Sequence, residues 1–252
     1  MSTTTVAPPT DPVGHVGGMA ATLTGIRREH PTQDAEVRPL DDVLRGRFDS
    51  IYAEAGGDAS RIPWARLGPS PSLVNWLNAV GPTLVRCGAR IAVVGCGLGE
   101  DARELMRRGY DVTAFDCSAA AVAWARSLDP QHAVCYCEAD LLSPPIRWRH
   151  RFDLVVEVRT VQSLPPSRRG EVLAALADLV AGHGHLLVIG RRATGPVDET
   201  DGPPWPIDPD ELVAGLEAAG MVAEHPVQCW EDKPGAGEDS GVARLRGLFR
   251  RA

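Results

Sequence analysis

No stretch of this chain stays apolar for the ~18 residues that a membrane span requires, so the sequence predicts no transmembrane helix. Positive charge is not in excess either. The formal net charge is -7, whereas nucleic-acid binders ordinarily carry a basic surplus that neutralises phosphates. Neither nucleic acid nor membrane is an expected partner. The first residues, MSTTTVAPPTDPVGHVGG, lack the basic start and apolar core of a secretory signal and read as a polar, disordered tail. Cysteine is sparse: six in 252 residues, unevenly spaced, make no disulfide framework. Cys135 and Cys137, in HAVCYCE, would face the same way on a strand. No second ligand pair follows at zinc-site spacing, so no metal is expected. A reducing, cytoplasmic setting is the simplest expectation. Internal repeats are lacking as well.

What is present is an ordinary globular composition, 44% hydrophobic and 23% charged, in a length that suits one sizeable domain. Three zones follow: a tail over 1–36, a helical lead-in or lid over 37–88 that carries tryptophan and proline, and an α/β region over 89–252. In the last zone strand-like and helix-like patterns alternate, which predicts a sheet with helices on both faces. Strand RIAVVG leads to helix EDARELMRRG, stopped by Gly109, and strand YDVTAFD leads to helix SAAAVAWARSL, capped by Ser118. HAVCYCEAD and FDLVVEV are strands. A helix with Leu173, Leu176 and Val180 on one face comes next, then strand GHLLVIG. DPDELVAGLEAAG has Asp208 as cap, Pro209 at its first position, Glu211 completing a capping box and Gly220 as stop. MVAEHPVQCWE and VARLRGLFRR close the chain as two strands.

Gly95, Gly97 and Gly99 follow the first strand directly and open a helix, where the backbone must turn sharply and a ligand can approach the main chain. Asp116 ends the second strand, where a carboxylate can accept hydrogen bonds from both hydroxyls of a ribose. These features suit NAD and S-adenosylmethionine equally. Two details favour the latter. A pyrophosphate would sit on the helix N-terminus, but Glu100 and Asp101 already occupy that favourable field. The glycine spacing is also GxGxG rather than GxGxxG. At the end of the third strand, Asp140 offers an acceptor for an adenine amino group and Leu141 an apolar wall.

VVGCGLGEDARELMRRGYDVTAFDCSAAAVAWAR, EADLL and FDLVVEVRTVQSLPPSRRGEVLAALADLVAGHGHLLVI resemble the successive motifs of class I S-adenosylmethionine-dependent methyltransferases over about residues 89–190. IPWARLGPSPSLVNWL and GPPWPIDPDEL resemble flanking segments of the thiopurine, thiol and halide methyltransferase-like branch. The resemblance implies a Rossmann-like, seven-stranded, mostly parallel sheet with its last strand antiparallel. It gives Gly95, Cys96, Gly97 and Gly99 to the methionine end of the cofactor, Asp116 to its ribose, and Cys117, Asp140 and Leu141 to its adenine. Glu157 would lie near the cofactor amine or the acceptor, as the best-placed catalytic carboxylate, and Trp64 would cover the cofactor. Thiopurine enzymes carry Asp-Arg-Gly after the fourth strand. Glu157-Val158-Arg159 here displaces the arginine by one position.

On the acceptor side, Arg159, Gln162 and Ser163 follow the fourth strand and Trp205 the fifth, as candidate substrate contacts. His150, His183 and His185 read as surface and turn residues, and Tyr52 and Trp76 as helix core. The expectation is methyl transfer to a small molecule, by a monomer or homodimer, with S-adenosylhomocysteine as product. A thiol sulfur leads, and oxygen or nitrogen of a secondary metabolite follows closely. A nicotinamide-dependent oxidoreductase is disfavoured by Glu100, Asp101 and the lack of a Tyr-x-x-x-Lys pair after the fourth strand. A non-catalytic partner that binds the cofactor without turnover is disfavoured by the intact glycine loop, Asp116 and Asp140.

Overall fold

The computed structural model describes residues 2, 39–66, 68–232 and 241–252. Apart from Ser2, the tail expected over 1–36 lies outside the described residues. Among the described residues, three helices come before the sheet: α1 (Asp42–Ala55), α2 (Pro71–Ala79) and α3 (Gly81–Leu84). Asp41 caps α1 by accepting from the Leu44 amide, and Gly56 ends it in the left-handed conformation.

After Arg90 the first strand, β1 (Arg90–Val94), is an apolar run buried on both faces, as a central parallel strand must be. It runs parallel between β2 (Asp111–Asp116) and β4 (Phe152–Val158), with β3 (Cys135–Glu138) outside β2 and β5 (Val180–Arg191) beyond β4. Antiparallel β8 (Ala243–Arg251) pairs with β5, and β6 (Met221–Ala223) and β7 (Gln228–Glu231) both pair with β8. The order is β3-β2-β1-β4-β5-β8-β6, with β7 off this path. The sheet therefore has eight strands where seven were expected. MVAEHPVQCWE does not form one strand; β6 and β7 are separated at His225-Pro226, and proline has no N–H to give a ladder.

Helices α4 (Glu100–Arg107), α5 (Ala119–Ser127), α6 (Arg169–Leu179) and α7 (Pro209–Ala218) join the strands. One core, with Leu173, Leu176, Leu212 and Phe249, fills the sheet face covered by α6 and α7. A second, with Leu73, Trp76, Leu105 and Val122, fills the other face. Val180 belongs to β5 and not to the α6 face, because the chain turns extended one residue earlier than its apolar spacing suggested. Ser118 and Gly109 act as expected. The α7 capping box is half formed: Asp208 accepts from the Asp210 and Glu211 amides, but the Glu211 side chain reaches Arg169 instead.

A third, smaller cluster joins α1 to the glycine loop through Tyr52, Ala55, Ile62, Leu98 and Ala121. Asp49 fixes the same contact by accepting from the Ser118 hydroxyl at 2.7 Å and the Ala120 amide at 2.9 Å. It caps a helix 69 residues further along the chain.

Candidate active site

Strand order reverses between β1 and β4, and at such a switch point the connecting loops diverge and leave a crevice beyond the strand ends. A cavity of about 380 Å³ opens there, between the β1–α4 loop, the ends of β2 and β4, and the segment around α1.

Its floor is the glycine loop. Gly95, Gly97 and Gly99 have φ of 58°, 52° and 81°, a left-handed run that other residues adopt only under strain. At Gly97 an added side chain would also crowd the Tyr52 hydroxyl, which would stand 3.0 Å from its Cβ. The Gly97 amide donates to one oxygen of Asp116 at 3.0 Å, and the Ser118 amide to the other at 3.0 Å. Asp116 thus holds the loop against the end of β2 while still lining the cavity. Burial raises its pKa, and those amide bonds work in the opposite direction. Cys96 and Cys117 line the same floor. Burial drives the Cys96 thiol well up and, with the nearby Asp116 charge, the Cys117 thiol up to about 12, so both are neutral thiols. Ala139 and Leu141 supply an apolar edge beside them.

Glu100 and Asp101 open α4 and face the cavity. Asp101 accepts from the Ser70 amide at 2.7 Å. Burial raises the pKa of both carboxyls, against the pull of the Arg159 cation. From the other side come Phe48, Tyr52 and Trp64. The Trp64 indole donates to the Tyr52 hydroxyl at 2.7 Å, and its ring meets Phe48 and Tyr52 edge-on. Tyr52, which reads from sequence as helix core, is both buried and a cavity wall; its helical spacing signals only the first role. Trp76 is core alone.

Three expected site residues stand elsewhere. Asp140 does not border the cavity. One of its oxygens accepts from the Leu40 amide at 2.7 Å and the Arg45 guanidinium at 3.2 Å, and the other from the Leu142 amide at 2.8 Å. Its carboxylate ties down the segment before α1. Glu157 is fully buried beneath the loop after β4. One oxygen accepts from the amides of Thr160 and Val161, so the side chain caps that loop from below and does not face the cavity. Its other oxygen is buried with no hydrogen-bond partner, and burial raises the pKa to about 7. Trp205 is buried, with its indole donating to the Glu199 carbonyl at 3.1 Å. Pro203 and Pro204 supply the apolar wall in its place.

Arg159, Gln162 and Ser163 do line the cavity. Gln162 accepts from the Arg191 amide at 2.6 Å, and the Ser163 hydroxyl donates to the Arg159 carbonyl at 2.9 Å. Both fasten the wall. Sequence reasoning missed Arg66, Ser70, Arg191 and Arg244, which reach the cavity only through the packing of distant segments. His150 and His185 lie away from it, near Asp178 and Glu224. The Cys135 and Cys137 sulfurs are 3.8 Å apart on edge strand β3. Among the described residues no cluster of three metal-ligating side chains occurs, and no helix is long and apolar enough to cross a membrane.

Residues 91–184 match the family model described as a methyltransferase domain. No curated protein matches the sequence. Among solved structures, the chain resembles that of 1,6-didemethyltoxoflavin-N1-methyltransferase from Burkholderia thailandensis, holding 1,6-didemethyltoxoflavin and S-adenosylhomocysteine, at 20% identity and TM-score 0.62, over 85% of this chain and 94% of that one. It also resembles the protein from work on converting a disulfide bond into a thioacetal group during echinomycin biosynthesis, at 24% identity and TM-score 0.66, over 82% and 93%. A third likeness is to the 4+2 cyclase SpnF, at 15% identity and TM-score 0.65, over 82% and 96%. These likenesses establish the Rossmann-like methyltransferase fold.

Proposed function

We propose that this chain, which carries a methyltransferase domain, is an S-adenosylmethionine-dependent enzyme that methylates a small molecule. One observation carries the choice of cofactor. The cavity has a glycine loop and a strand-end carboxylate suited to a nucleoside, while the helix N-terminus that would hold a pyrophosphate is filled by Glu100 and Asp101. The residues present fit an adenosyl group that brings no phosphate. The family model and the fold support the same reading.

The Gly95–Gly99 loop would hold the methionine end, Asp116 the ribose, and Cys117 and Leu141 the flanks of the adenine. Trp64, anchored by Tyr52, would close the site from the lead-in, which acts as a lid. When bound, S-adenosylmethionine supplies a methyl carbon activated by its sulfonium. The chain's own contribution is to fix an acceptor in line with that carbon and to keep water out. Glu157 serves this by fixing the loop that carries Arg159, Gln162 and Ser163 and is a positioning residue, since one of its oxygens holds two amides of that loop and the other is buried. With no base at the cavity wall after β4, the acceptor that needs least help is a thiol, whose ordinary pKa of about 8.5 allows ready ionisation. The lead-in and post-β5 motifs of the thiopurine, thiol and halide branch support sulfur, with oxygen or nitrogen of a metabolite as the alternative. Six free cysteines suit a reducing, cytoplasmic setting, and the acidic balance a small-molecule acceptor over nucleic acid.

The test is transfer of a labelled methyl group from S-adenosylmethionine to panels of thiols, phenols and amines. Labelled product, first among the thiols, is the expected result. The same fold occurs in a cyclase, so cofactor binding without transfer to any acceptor would overturn methyl transfer and favour a non-methylating use of the site.

A further inference from the structure

Strand β3 closes one edge of the sheet, and among the described residues β2 alone pairs with it. Its sequence, Cys135-Tyr136-Cys137-Glu138, sets two thiols on one face with a single residue between them. Tyr136 points the other way and is buried in the core on the opposite face. The Arg126 guanidinium donates to the Tyr136 carbonyl at 2.6 Å, so the residue between the thiols is held by side chain and backbone alike. On the cysteine face, Cys137 is half-buried against the other core, and Cys135 is exposed. Their sulfurs stand 3.8 Å apart.

Two residues of extended chain separate the α-carbons by about 6.6 Å, within the ~4.4–6.8 Å that a disulfide spans. Side-chain rotation then closes the sulfurs from 3.8 Å to the ~2 Å of a covalent bond. An edge strand, held by a ladder from one side, can pucker to allow this. The two thiols also differ in reach and in acidity. Solvent meets Cys135 directly. Burial and the neighbouring Cys135 raise the pKa of Cys137, against the pull of Arg126 and Arg147. The outer thiol therefore meets a reagent first, and the inner one keeps its proton until the outer has reacted.

We propose that Cys135 and Cys137 form a reversible oxidation site that takes a hydroperoxide and closes to a disulfide. The Cys135 sulfur attacks the terminal peroxide oxygen, an S–O bond forms as the O–O bond breaks, and the thiol proton goes to the departing alkoxide or hydroxide. The Cys137 sulfur then attacks the Cys135 sulfur. An S–S bond forms, the S–O bond breaks, and the departing hydroxide takes the Cys137 proton and leaves as water. Each sulfur gives up one electron and the peroxide gains two. A dithiol reductant returns both thiols by exchange. The pair thus stops oxidation at a step that can be undone, where a solitary exposed thiol is free to proceed to sulfinic acid. The site is independent of the methyltransferase reading.

The test treats the full, reduced chain with a slight excess of hydrogen peroxide, then alkylates and digests it with trypsin. Cleavage after Arg126 and Arg147 releases both thiols in one peptide, 127–147, with no other cysteine. The expected result is the loss of two hydrogen atoms and of both alkylation sites from that peptide, with its halves still joined when chymotrypsin cuts after Tyr136. Dithiothreitol should restore both alkylation sites. Cys87 and Cys229, exposed on other segments, should show free thiol or dimedone-reactive sulfenic acid instead. In Cys137→Ser, Cys135 should likewise be trapped as sulfenic acid, and Cys135→Ser, at an exposed position, should abolish closure without altering the melting temperature. Oxidised Cys135 beside a free Cys137 in the wild type, a disulfide joining two chains, or closure that dithiothreitol does not reverse would overturn the proposal.

Discussion

Glu157 shows how one buried carboxyl can govern a loop that it does not belong to. Its acceptor oxygen meets two backbone amides of the loop after β4, and its other oxygen is buried without a partner. The protonated form is therefore favoured in the fold, with a pKa near 7 against an ordinary 4.5. The folded state holds this proton between those two values while the unfolded chain has released it. Its contribution to stability is complete below pH 4.5 and is lost as pH rises through 7. Glu157→Gln keeps an acceptor for the amides and removes the titration. Urea unfolding at pH 5 and pH 8 is expected to show wild type losing on the order of 2 kcal/mol more than the variant across that interval. Equal losses would contradict the assignment. Gly97 makes a second case at this scale. With φ at 52° and the Tyr52 hydroxyl 3.0 Å from any added Cβ, Gly97→Ala is expected to cost about 1–2 kcal/mol in denaturant unfolding. It should also weaken S-adenosylmethionine binding at least tenfold, because the loop floor must shift. Unchanged stability and affinity would contradict this.

At the scale of elements, the site depends on α1 being docked over the glycine loop. Two carboxylates fasten it from opposite directions, beside the apolar cluster: Asp49 of α1 caps α5, and Asp140 after β3 holds the segment that leads into α1. Asp49→Ala removes two hydrogen bonds, one to a helix-end amide, and is expected to cost about 1–2 kcal/mol. Hydrogen exchange should quicken over 42–55 while β1 and β4 stay protected; uniform quickening over the whole domain would show that α1 is not a separable lid. These couplings also mark how far the sequence was legible. The glycine loop, Asp116, Ser118 and the Asp208 cap are local patterns, in which the signal and its consequence lie within a few residues. Asp140 is 100 residues from its Leu40 partner, and no local pattern records that its carboxylate turns toward the lead-in. Trp205 reads as a substrate contact from its place after the fifth strand, yet an indole gains more from burial, and Pro203 and Pro204 take the surface. The split of β6 from β7 did have a signal, in Pro226, that a continuous apolar reading passed over.

For the molecule as a whole, topology sorts charge. The ends of β1 and β2 bring glycine, thiol and aspartate to the cavity, and the ends of β4 and β5 and the start of β8 bring arginine. No alternation of apolar residues predicts this, because Arg191 and Arg244 meet only when β8 returns beside β5. The central claim of the proposed function concerns the nucleoside cofactor. It is tested most directly by calorimetric titration of the full chain with S-adenosylmethionine and, in parallel, with NAD. The account predicts saturable heat with S-adenosylmethionine at one site per chain and none with NAD. Heat with NAD alone, or with neither, would contradict it.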